Sequence, residues 1–191
     1  MERRSVRIDA GDVVLRPKRV EDAENDYAWR TDPELSALDA TRPINLTFRE
    51  YRRYYSDELE YPSPWSVRYA IEDADGRHIG NCMYYDINWD RREAELGIMI
   101  GDKSYWSRGY GTVAVRALID QVFSSEKLDR IYLHTLYDNF RAQRAFSKAG
   151  FQPVRRVKRE GFEFIKMEVW REEWERQRQQ AQHNAGSIAE A

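Results

Sequence analysis

The chain changes its hydrophobic period between residues 93 and 122, and this change constrains the fold more than any other feature. From 94 to 100 the apolar side chains recur at every second position, which is the period of a β-strand with one buried face. Further on, Val115, Leu118 and Val122 recur at helical spacing. Gly109 and Gly111 lie between the two patterns, so the segment predicts a strand, a tight turn and a helix in direct succession.

Segments before and after this unit carry strand signals of their own. Asp75-Gly76 is a strong hairpin turn, and the strands on either side of it form an antiparallel meander with the strand at 94–100. Glu160-Gly161 predicts a second hairpin near the end of the chain. The remaining segments with a strand pattern are 13–17, 67–71, 79–87, 131–136, 154–158 and 162–170.

Helix signals complete the domain. Residues 20–39 are acidic and helix-prone with a break at Asp32-Pro33, and a capping box at 47–50 starts another helix. Asn139 suits the start of a last helix. The order strand, helix, strand, helix, strand from residue 94 onward implies an α/β unit with a locally parallel pair of strands. We expect a single domain over 1–180 and a polar, disordered tail over 181–191.

Charge and cysteine usage exclude several functional classes. The 31 basic and 33 acidic residues give a net charge of -2, which argues against a dedicated nucleic-acid binder. Cys82 is the single cysteine, so no disulfide can form within the chain, which suits a reducing cytosol. Three scattered histidines give no metal-ligand spacing, and no apolar run approaches the length of a membrane span. We therefore expect a cytoplasmic protein with no metal, nucleic-acid partner or membrane partner.

The turn itself, residues 101–112 with the sequence GDKSYWSRGYGT, suggests an anion site. The first amides of a helix have no internal acceptor, and together with the helix dipole they can bind a pyrophosphate. Arg108 could add a cationic donor. The segment is neither a Walker loop nor a complete dinucleotide fingerprint, because no Gly-Lys-Ser/Thr follows and position 114 is Ala. Taken alone, the glycines indicate only a tight turn before a helix.

The wider setting is more specific. The run EAELGIMIGDKSYWSRGYGT, then Asn139, then AFSKAGF at 145–151, closely resembles the GNAT acetyltransferase superfamily. The Trp-x-x-Gly-x-Gly form of the loop is similar to the branch with ribosomal-protein N-terminal, spermidine and some aminoglycoside acetyltransferases. The resemblance covers about residues 13–170. It implies a GNAT fold of α/β (α+β) class: a mixed, mostly antiparallel sheet of about seven strands, splayed between strands 4 and 5 and flanked by about four helices.

The resemblance also implies acetyl-coenzyme A as co-substrate and places its binding residues. Backbone groups of Ile98, Met99 and Ile100 would pair with the pantetheine arm, as an added strand does. Asn139 and Arg144 would contact the same arm. The turn amides expected to hold the pyrophosphate belong to Trp106, Ser107, Arg108, Gly109, Tyr110, Gly111 and Thr112.

Catalysis by direct attack of an amine on the thioester needs a base, and carboxylates on the strand bordering the cleft are the natural candidates. Glu95 is the first choice and Glu93 the second; being two residues apart, they share one face of the strand, which could equally be a solvated face. Many relatives carry a Tyr acid where this chain has Phe146, which cannot donate a proton. Either the thiolate leaves without an acid, or Ser147 or Tyr137 substitutes. Phe146 also suits core packing, and Ser147 a helix surface.

The acceptor is less defined. The resemblance places acceptor specificity in the N-terminal helices and the last hairpin. Many acidic residues in those helices would favour a cationic amine if they faced the cleft. We expect a protein N-terminus or a polyamine-like small molecule, and the resemblance allows a homodimer. The alternatives are a non-catalytic acyl-coenzyme A binding or regulatory module, and a nucleotide-binding protein that uses the glycine turn. Most of these charges also suit ordinary exposed helix surfaces. They are Glu21, Asp22, Glu24, Asp26, Glu34, Asp39, Glu50, Asp57, Glu58 and Glu60.

Overall fold

One mixed sheet organises the protein. A computed structural model describes residues 5–189, with side chains described from 5 to 180. Within this part eight strands follow the order β1-β2-β3-β4-β5-β6-β8-β7. The strands are β1 (Ile8–Asp9), β2 (Val13–Pro17), β3 (Val67–Asp73), β4 (His78–Asn88), β5 (Glu93–Ile100), β6 (Arg130–Leu136), β7 (Gln152–Arg159) and β8 (Phe162–Trp170).

Helices connect and cover the strands. The described chain has six α-helices, two more than the number expected from the sequence, and two short 3-10 turns at Val20–Asp22 and Lys103–Tyr105. The α-helices are α1 (Ala23–Thr31), α2 (Pro33–Leu38), α3 (Phe48–Glu60), α4 (Tyr110–Ser125), α5 (Phe140–Lys148) and α6 (Arg171–Ala189).

The predicted meander is present, with one strand that the sequence did not reveal. Strands β3, β4 and β5 pair antiparallel in succession, and Gly76 turns between the first two with a φ of 80°. The additional strand β1 is only two residues long and pairs Ile8 with Leu15 of β2. Two residues are too few to show a period, which is why the sequence predicts about seven strands and the sheet has eight.

The parallel pair opens into a cleft, as the resemblance predicts. Strands β5 and β6 pair only at Glu93–Arg130, Ala94–Ile131 and Glu95–Tyr132. Beyond these positions the β6 side of β5 has no strand partner, although its other side continues to pair with β4 as far as Ile100. The sheet therefore splays along the second half of β5.

The core lies on the α4 face of this sheet. Leu118 and Val122 of α4 are fully buried with Leu15, in one cluster of apolar side chains. Arg16, the next residue on β2, points to the opposite face and pairs with Asp22 at 2.7 Å, just before α1. The two faces thus carry different structures, α4 on an apolar core and α1 on a buried ionic cluster.

Helix boundaries follow local capping chemistry. Asp32 accepts hydrogen bonds from the amides of Glu34 and Leu35, so the Asp-Pro break predicted within 20–39 separates α1 from α2. Both bonds of the capping box at Thr47 and Glu50 are present. The last helix runs to Ala189. A disordered tail was predicted for 181–191. The side chains of these residues, and residues 190–191 altogether, lie outside the described part of the chain, so this stays a prediction. Within residues 5–189, no helix combines the length and hydropathy needed to cross a bilayer.

Candidate active site

A cavity of about 300 Å³ opens where β5 leaves its parallel neighbour. Its walls are the free half of β5, the turn before α4, one side of α5 and the end of α2. Most of the residues predicted to bind coenzyme A line it. They are Ile98, Met99, Ile100, Trp106, Ser107, Gly109, Gly111, Thr112, Asn139 and Arg144.

The turn that starts α4 presents its amides to this cavity. Gly109 is the N-cap residue, with a φ of 92° and no side-chain cap, and Ser107 is also left-handed with a φ of 60°. The first helical backbone bond runs from the Val113 amide to the Gly109 carbonyl at 3.1 Å. The amides from Tyr110 to Thr112 therefore have no intrahelical acceptor, and the turn is accessible to solvent. Such an open helix N-terminus can bind a phosphate group.

Trp106 has a different role from the predicted one. Its amide donates to the Lys103 carbonyl at 3.1 Å, and its indole Nε1 donates to the Ile100 carbonyl at 2.7 Å. Both N–H groups are therefore engaged inside the protein, and this amide is not available to a pyrophosphate. The same contact occupies one lone pair of the Ile100 carbonyl, which we expected to pair with pantetheine. Trp106 instead ties the turn to the end of β5.

Arg108 and Tyr110 also depart from the prediction. The Arg108 guanidinium lies beside the Tyr105–Tyr110 ring pair, 5.4 and 5.6 Å from the two centroids, and neither Arg108 nor Tyr110 lines the cavity. The Tyr105 ring is fixed by a 2.6 Å hydrogen bond from its hydroxyl to Asp73. Stacking on two aromatic rings holds the arginine away from the cleft, so only the amide of Tyr110 remains a candidate phosphate ligand.

Arg141 supplies the cation that the sequence analysis missed. It lines the cavity from the first turn of α5, with its guanidinium 3.6 Å from the centroid of the Trp106 ring. A cation in the first turn opposes the helix dipole, and this local conflict was the signal that could have identified it. Lys148, at the other end of α5, also lines the cavity without having been predicted. Asn139 lines it too, but its Oδ1 accepts from the Ala142 amide at 3.1 Å and so caps α5.

The two candidate bases have different partners. Both Glu93 and Glu95 are buried, with exposed fractions of 7% and 8%, so this is not a solvated strand face. Glu93 forms an ion pair with Arg130, which also contacts Glu168 at 3.1 Å. Glu95 instead lies 2.8 Å from Nδ1 of His134, at the last paired position before β5 and β6 separate. Glu95 thus lies where the two strands separate and has no guanidinium partner among the described residues, although neither it nor Glu93 lines the cavity.

The candidate acids do not meet in the cleft. Ser147 is exposed on α5 and does not line the cavity, because it lies about 100° around the helix from Phe146, which does. Phe146 is 7% exposed and packs 6.0 Å from the ring of Phe151. The Tyr137 ring lies 3.8 Å from the Arg156 guanidinium, also outside the cavity lining. The structure therefore brings neither suggested replacement for the missing tyrosine to this site.

The acidic N-terminal helices contribute less to the cleft than their charge suggested. Of the ten acidic residues considered there, Asp39 is the one that lines the cavity, and it pairs with Arg30 at 3.3 Å. Asp22 and Asp26 are buried; burial acts to raise the pKa of Asp22, but hydrogen bonds from Arg16 and from the Arg19 amide hold this pKa below its usual value. Internal ion pairing therefore takes up much of the charge that the sequence analysis considered for substrate attraction.

In the described part of the chain, no three His, Cys, Asp or Glu side chains are grouped so that they could bind a metal ion. Cys82 is fully enclosed, and burial raises the pKa of its thiol. The site is therefore described by its amides, its guanidinium group and its buried carboxylate.

Comparison with known proteins agrees with this geometry. The spermidine N(1)-acetyltransferase of Vibrio cholerae is 30% identical over 101 residues, which are 53% of this chain and 54% of that relative. The match thus spans about half the length of that curated relative. The crystal structure of spermidine N-acetyltransferase from Vibrio cholerae in complex with CoA and spermine superposes with a TM-score of 0.75 at 20% identity, covering 85% of this chain and 98% of that one.

An aminoglycoside acetyltransferase in complex with coenzyme A superposes with a TM-score of 0.71 at 24% identity, covering 87% of this chain and 99% of that one. At these identities the two structural likenesses establish the fold. The sequence model described as Acetyltransferase (GNAT) domain matches residues 12–152, which include β2 to β6, the turn before α4 and α5. With the splayed parallel pair and the open turn in place, the chain belongs to the GNAT acetyltransferase family.

Proposed function

We propose that this protein transfers the acetyl group of acetyl-coenzyme A to the primary amine of a cationic acceptor, by direct attack within a ternary complex. The observation that carries the proposal is the position of the open α4 amides beside the unpaired half of β5, in one cavity. A diphosphate suits the first, and an amide-bearing arm suits the second. Coenzyme A contains both groups.

Each wall of the cavity binds a different part of the donor, acetyl-coenzyme A. The amides of Gly109, Tyr110, Gly111 and Thr112 hold the pyrophosphate, with Ser107 beside them in the turn. Arg141 adds a guanidinium and Arg144 a second cation at the rim. The backbone of Ile98 and Met99 pairs with the pantetheine arm along the free edge of β5.

On the acceptor side, Glu95 is the carboxylate that makes the site basic. Its position at the apex, where β5 and β6 separate, and the absence of a guanidinium partner among the described residues favour it over Glu93, whose charge Arg130 offsets. Burial, together with the Glu95 carboxylate, raises the pKa of Tyr85, which indicates negative potential beside this strand. Negative potential lined by aromatic rings suits a cationic amine.

The leaving group needs no side-chain acid in this proposal. Phe146 occupies the position of the usual tyrosine, and Ser147 points away from the cavity. A thiol with a pKa of about 8.5 departs readily as a thiolate near neutral pH. The acceptor class includes polyamines, the substrates in the name of the Vibrio cholerae relative, and protein N-termini. The proposal keeps the cytoplasmic location and leaves room for a homodimer.

The test is turnover across a panel of amines. Purified protein is incubated with acetyl-coenzyme A and spermidine, spermine, an aminoglycoside or a short peptide with a free N-terminus, and products are identified by mass spectrometry. An acetylated amine together with an equal amount of released thiol supports the proposal. Binding of acetyl-coenzyme A without acetylation of any amine contradicts it.

The second candidate is a non-catalytic acyl-coenzyme A binding module, and Phe146 is the observation that favours it. An enzyme and a binding module differ in their response to Glu95→Gln. An enzyme loses turnover while keeping its affinity for acetyl-coenzyme A, whereas a binding module has no turnover to lose. Calorimetry with ATP and NAD as competing ligands separates both from a nucleotide-binding protein.

A further inference from the structure

His134 lies on β6 beside the gap that opens where β5 and β6 separate, although it is not among the residues that line the cavity next to the α4 turn. It is two residues beyond Tyr132, the last β6 residue paired with β5, and on the same side of its strand. Its imidazole reaches back to β5, where Nδ1 lies 2.8 Å from Oε1 of Glu95. The exposed fractions of the two side chains are 6% and 10%, so the contact is shielded from solvent.

The contact defines which ring nitrogen carries the proton. An ionised carboxylate only accepts hydrogen bonds, so Nδ1 of His134 must be the protonated nitrogen of the neutral ring. Nε2 then carries the lone pair. No residue in the described part of the chain forms a hydrogen bond with this atom. The rings of Tyr132 and Phe164 stand nearly perpendicular to the imidazole, with centroids 5.8 and 6.4 Å away, and restrict its rotation.

We propose that Nε2 of His134 is the atom that takes the proton from the acceptor ammonium, and that Glu95 acts as the positioning residue behind it. This inference rests on the proposed function and specifies its proton transfer. The Glu95 carboxylate already accepts from Nδ1 of His134 and from the Tyr85 hydroxyl, so the imidazole offers the less occupied basic atom. The same carboxylate fixes the tautomer of the ring and stabilises the imidazolium that forms.

The assignment accounts for every proton and electron pair of the reaction. One proton of the bound ammonium passes to Nε2 of His134, leaving a neutral amine. The nitrogen lone pair forms the C–N bond with the thioester carbonyl carbon, and the C–S bond breaks with its electron pair going to sulfur. The second proton leaves the nitrogen and neutralises the thiolate. The imidazolium returns its proton to solvent before the next turnover.

Three variants test the assignment with one amine that the wild type acetylates. His134→Ala should lower kcat by about 100-fold or more, with the affinity for acetyl-coenzyme A unchanged, and added imidazole should restore at least about tenfold of the loss. His134→Asn keeps an amide donor near the position of Nδ1 for Glu95 but has no base, so it should be as slow as His134→Ala. Glu95→Gln still accepts from Nδ1 and should be the least affected of the three.

His78→Gln is the matched control, because this second histidine packs against Trp29 and faces Asp22, away from β6, and should show no stimulation by imidazole. Circular dichroism and acetyl-coenzyme A binding confirm that each variant is folded. His134→Asn with a kcat within threefold of the wild type would overturn the inference, as would a larger loss in Glu95→Gln than in both His134 variants. An inactive wild type would instead reject the proposed function, so the two failures are distinguishable.

Discussion

The guanidinium of Arg141 lies 3.6 Å from the centroid of the Trp106 ring, and the indole N–H of that ring is bonded to the Ile100 carbonyl at 2.7 Å. A cation of α5 is thereby connected through an aromatic ring to the end of β5. Stacking fixes the guanidinium plane without a carboxylate partner, and no described residue accepts a hydrogen bond from it. Its N–H groups can therefore bind an anion in the cavity.

Replacing this arginine should weaken binding of the donor. We expect Arg141→Gln to raise KM for acetyl-coenzyme A about tenfold and to leave kcat within about twofold, because a charge-assisted hydrogen bond contributes about 1.5–3 kcal/mol. Steady-state kinetics and calorimetry measure both values. Arg108→Gln is the matched control, since Arg108 lies beside the Tyr105–Tyr110 ring pair and does not line the cavity, and it should leave KM unchanged. A larger effect at Arg108 than at Arg141 would restore the assignment predicted from the sequence.

A negative charge at Gly111 should expel the phosphates. A Cβ atom built there would meet only Ile100 Cγ1 at 3.7 Å, which is ordinary contact, so a side chain fits without displacing the backbone. We expect Gly111→Asp to weaken acetyl-coenzyme A binding by at least about tenfold, because its carboxylate opposes the anion at the helix N-terminus. Gly111→Asn has the same size and no charge, and should bind more tightly than the Asp variant. Equal affinities for the two variants would show that the turn does not bind phosphate.

Replacing Glu93 should mainly lower the stability of the protein, whereas replacing Glu95, two residues further along β5, should mainly lower its turnover. Glu93→Gln removes the partner of Arg130, so it should lower the melting temperature by a few degrees and leave kcat comparatively unaffected. Glu95→Gln should lower kcat by about tenfold or more at nearly unchanged acetyl-coenzyme A affinity. Thermal unfolding and initial rates are measured on the same preparations. A kcat loss in Glu93→Gln that exceeds the loss in Glu95→Gln would exchange the two roles.

Stability should fall on mild acidification, and His78 should be a cause. Burial, with Lys18 nearby, lowers the pKa of His78 in spite of Asp22 and Asp26. Below about pH 6.5 the unfolded chain then takes up a proton that the folded protein resists, so the free energy of unfolding decreases as the pH falls further. The lowered pKa of Asp22 acts only below about pH 4.

Urea unfolding at pH 7.5 and pH 5.5 measures this dependence. In His78→Asn the difference between the two free energies should be smaller than in the wild type, whatever the absolute stability of the variant. The ring also packs 4.8 Å from that of Trp29 and contacts Asn81, so the variant is expected to be less stable at both values of pH. An equal pH dependence in the two proteins would remove His78 as the source.

Patterns that depend on the backbone alone were predicted well. The strand at β5, the box at Thr47 and Glu50, and the glycine-containing turn each follow from neighbours in the sequence, and the fold confirms them, although β5 is buried on both faces in its first half. The roles of Trp106 and Arg108 could not be read in this way. Their side-chain directions are decided by Ile100, Tyr105 and the stacking geometry, and these contacts exist only after the turn has folded.

Contacts between distant strands were also outside the reach of the sequence. The bond between Glu95 and His134 joins residues 39 positions apart and depends on the register of the parallel pair, which no local signal specifies. Ser147 was considered both as a replacement acid and as a helix-surface residue, and its exposed position outside the cavity lining agrees with the second interpretation. In the same way, the acidity of the N-terminal helices did not reveal that Asp22 and Asp26 are paired internally with Arg16 and Lys18.

The shortness of the β5–β6 pairing has a mechanical consequence. Five strands on one side and three on the other meet along three residue pairs, the shortest pairing in the sheet apart from that of the two-residue edge strand β1. A donor molecule laid into the gap would add hydrogen bonds to β5 and pack against α5, tying the two blocks together. Binding of the donor should therefore strengthen the connection between the two blocks of strands. Without the donor, we expect the sheet to separate first between β5 and β6.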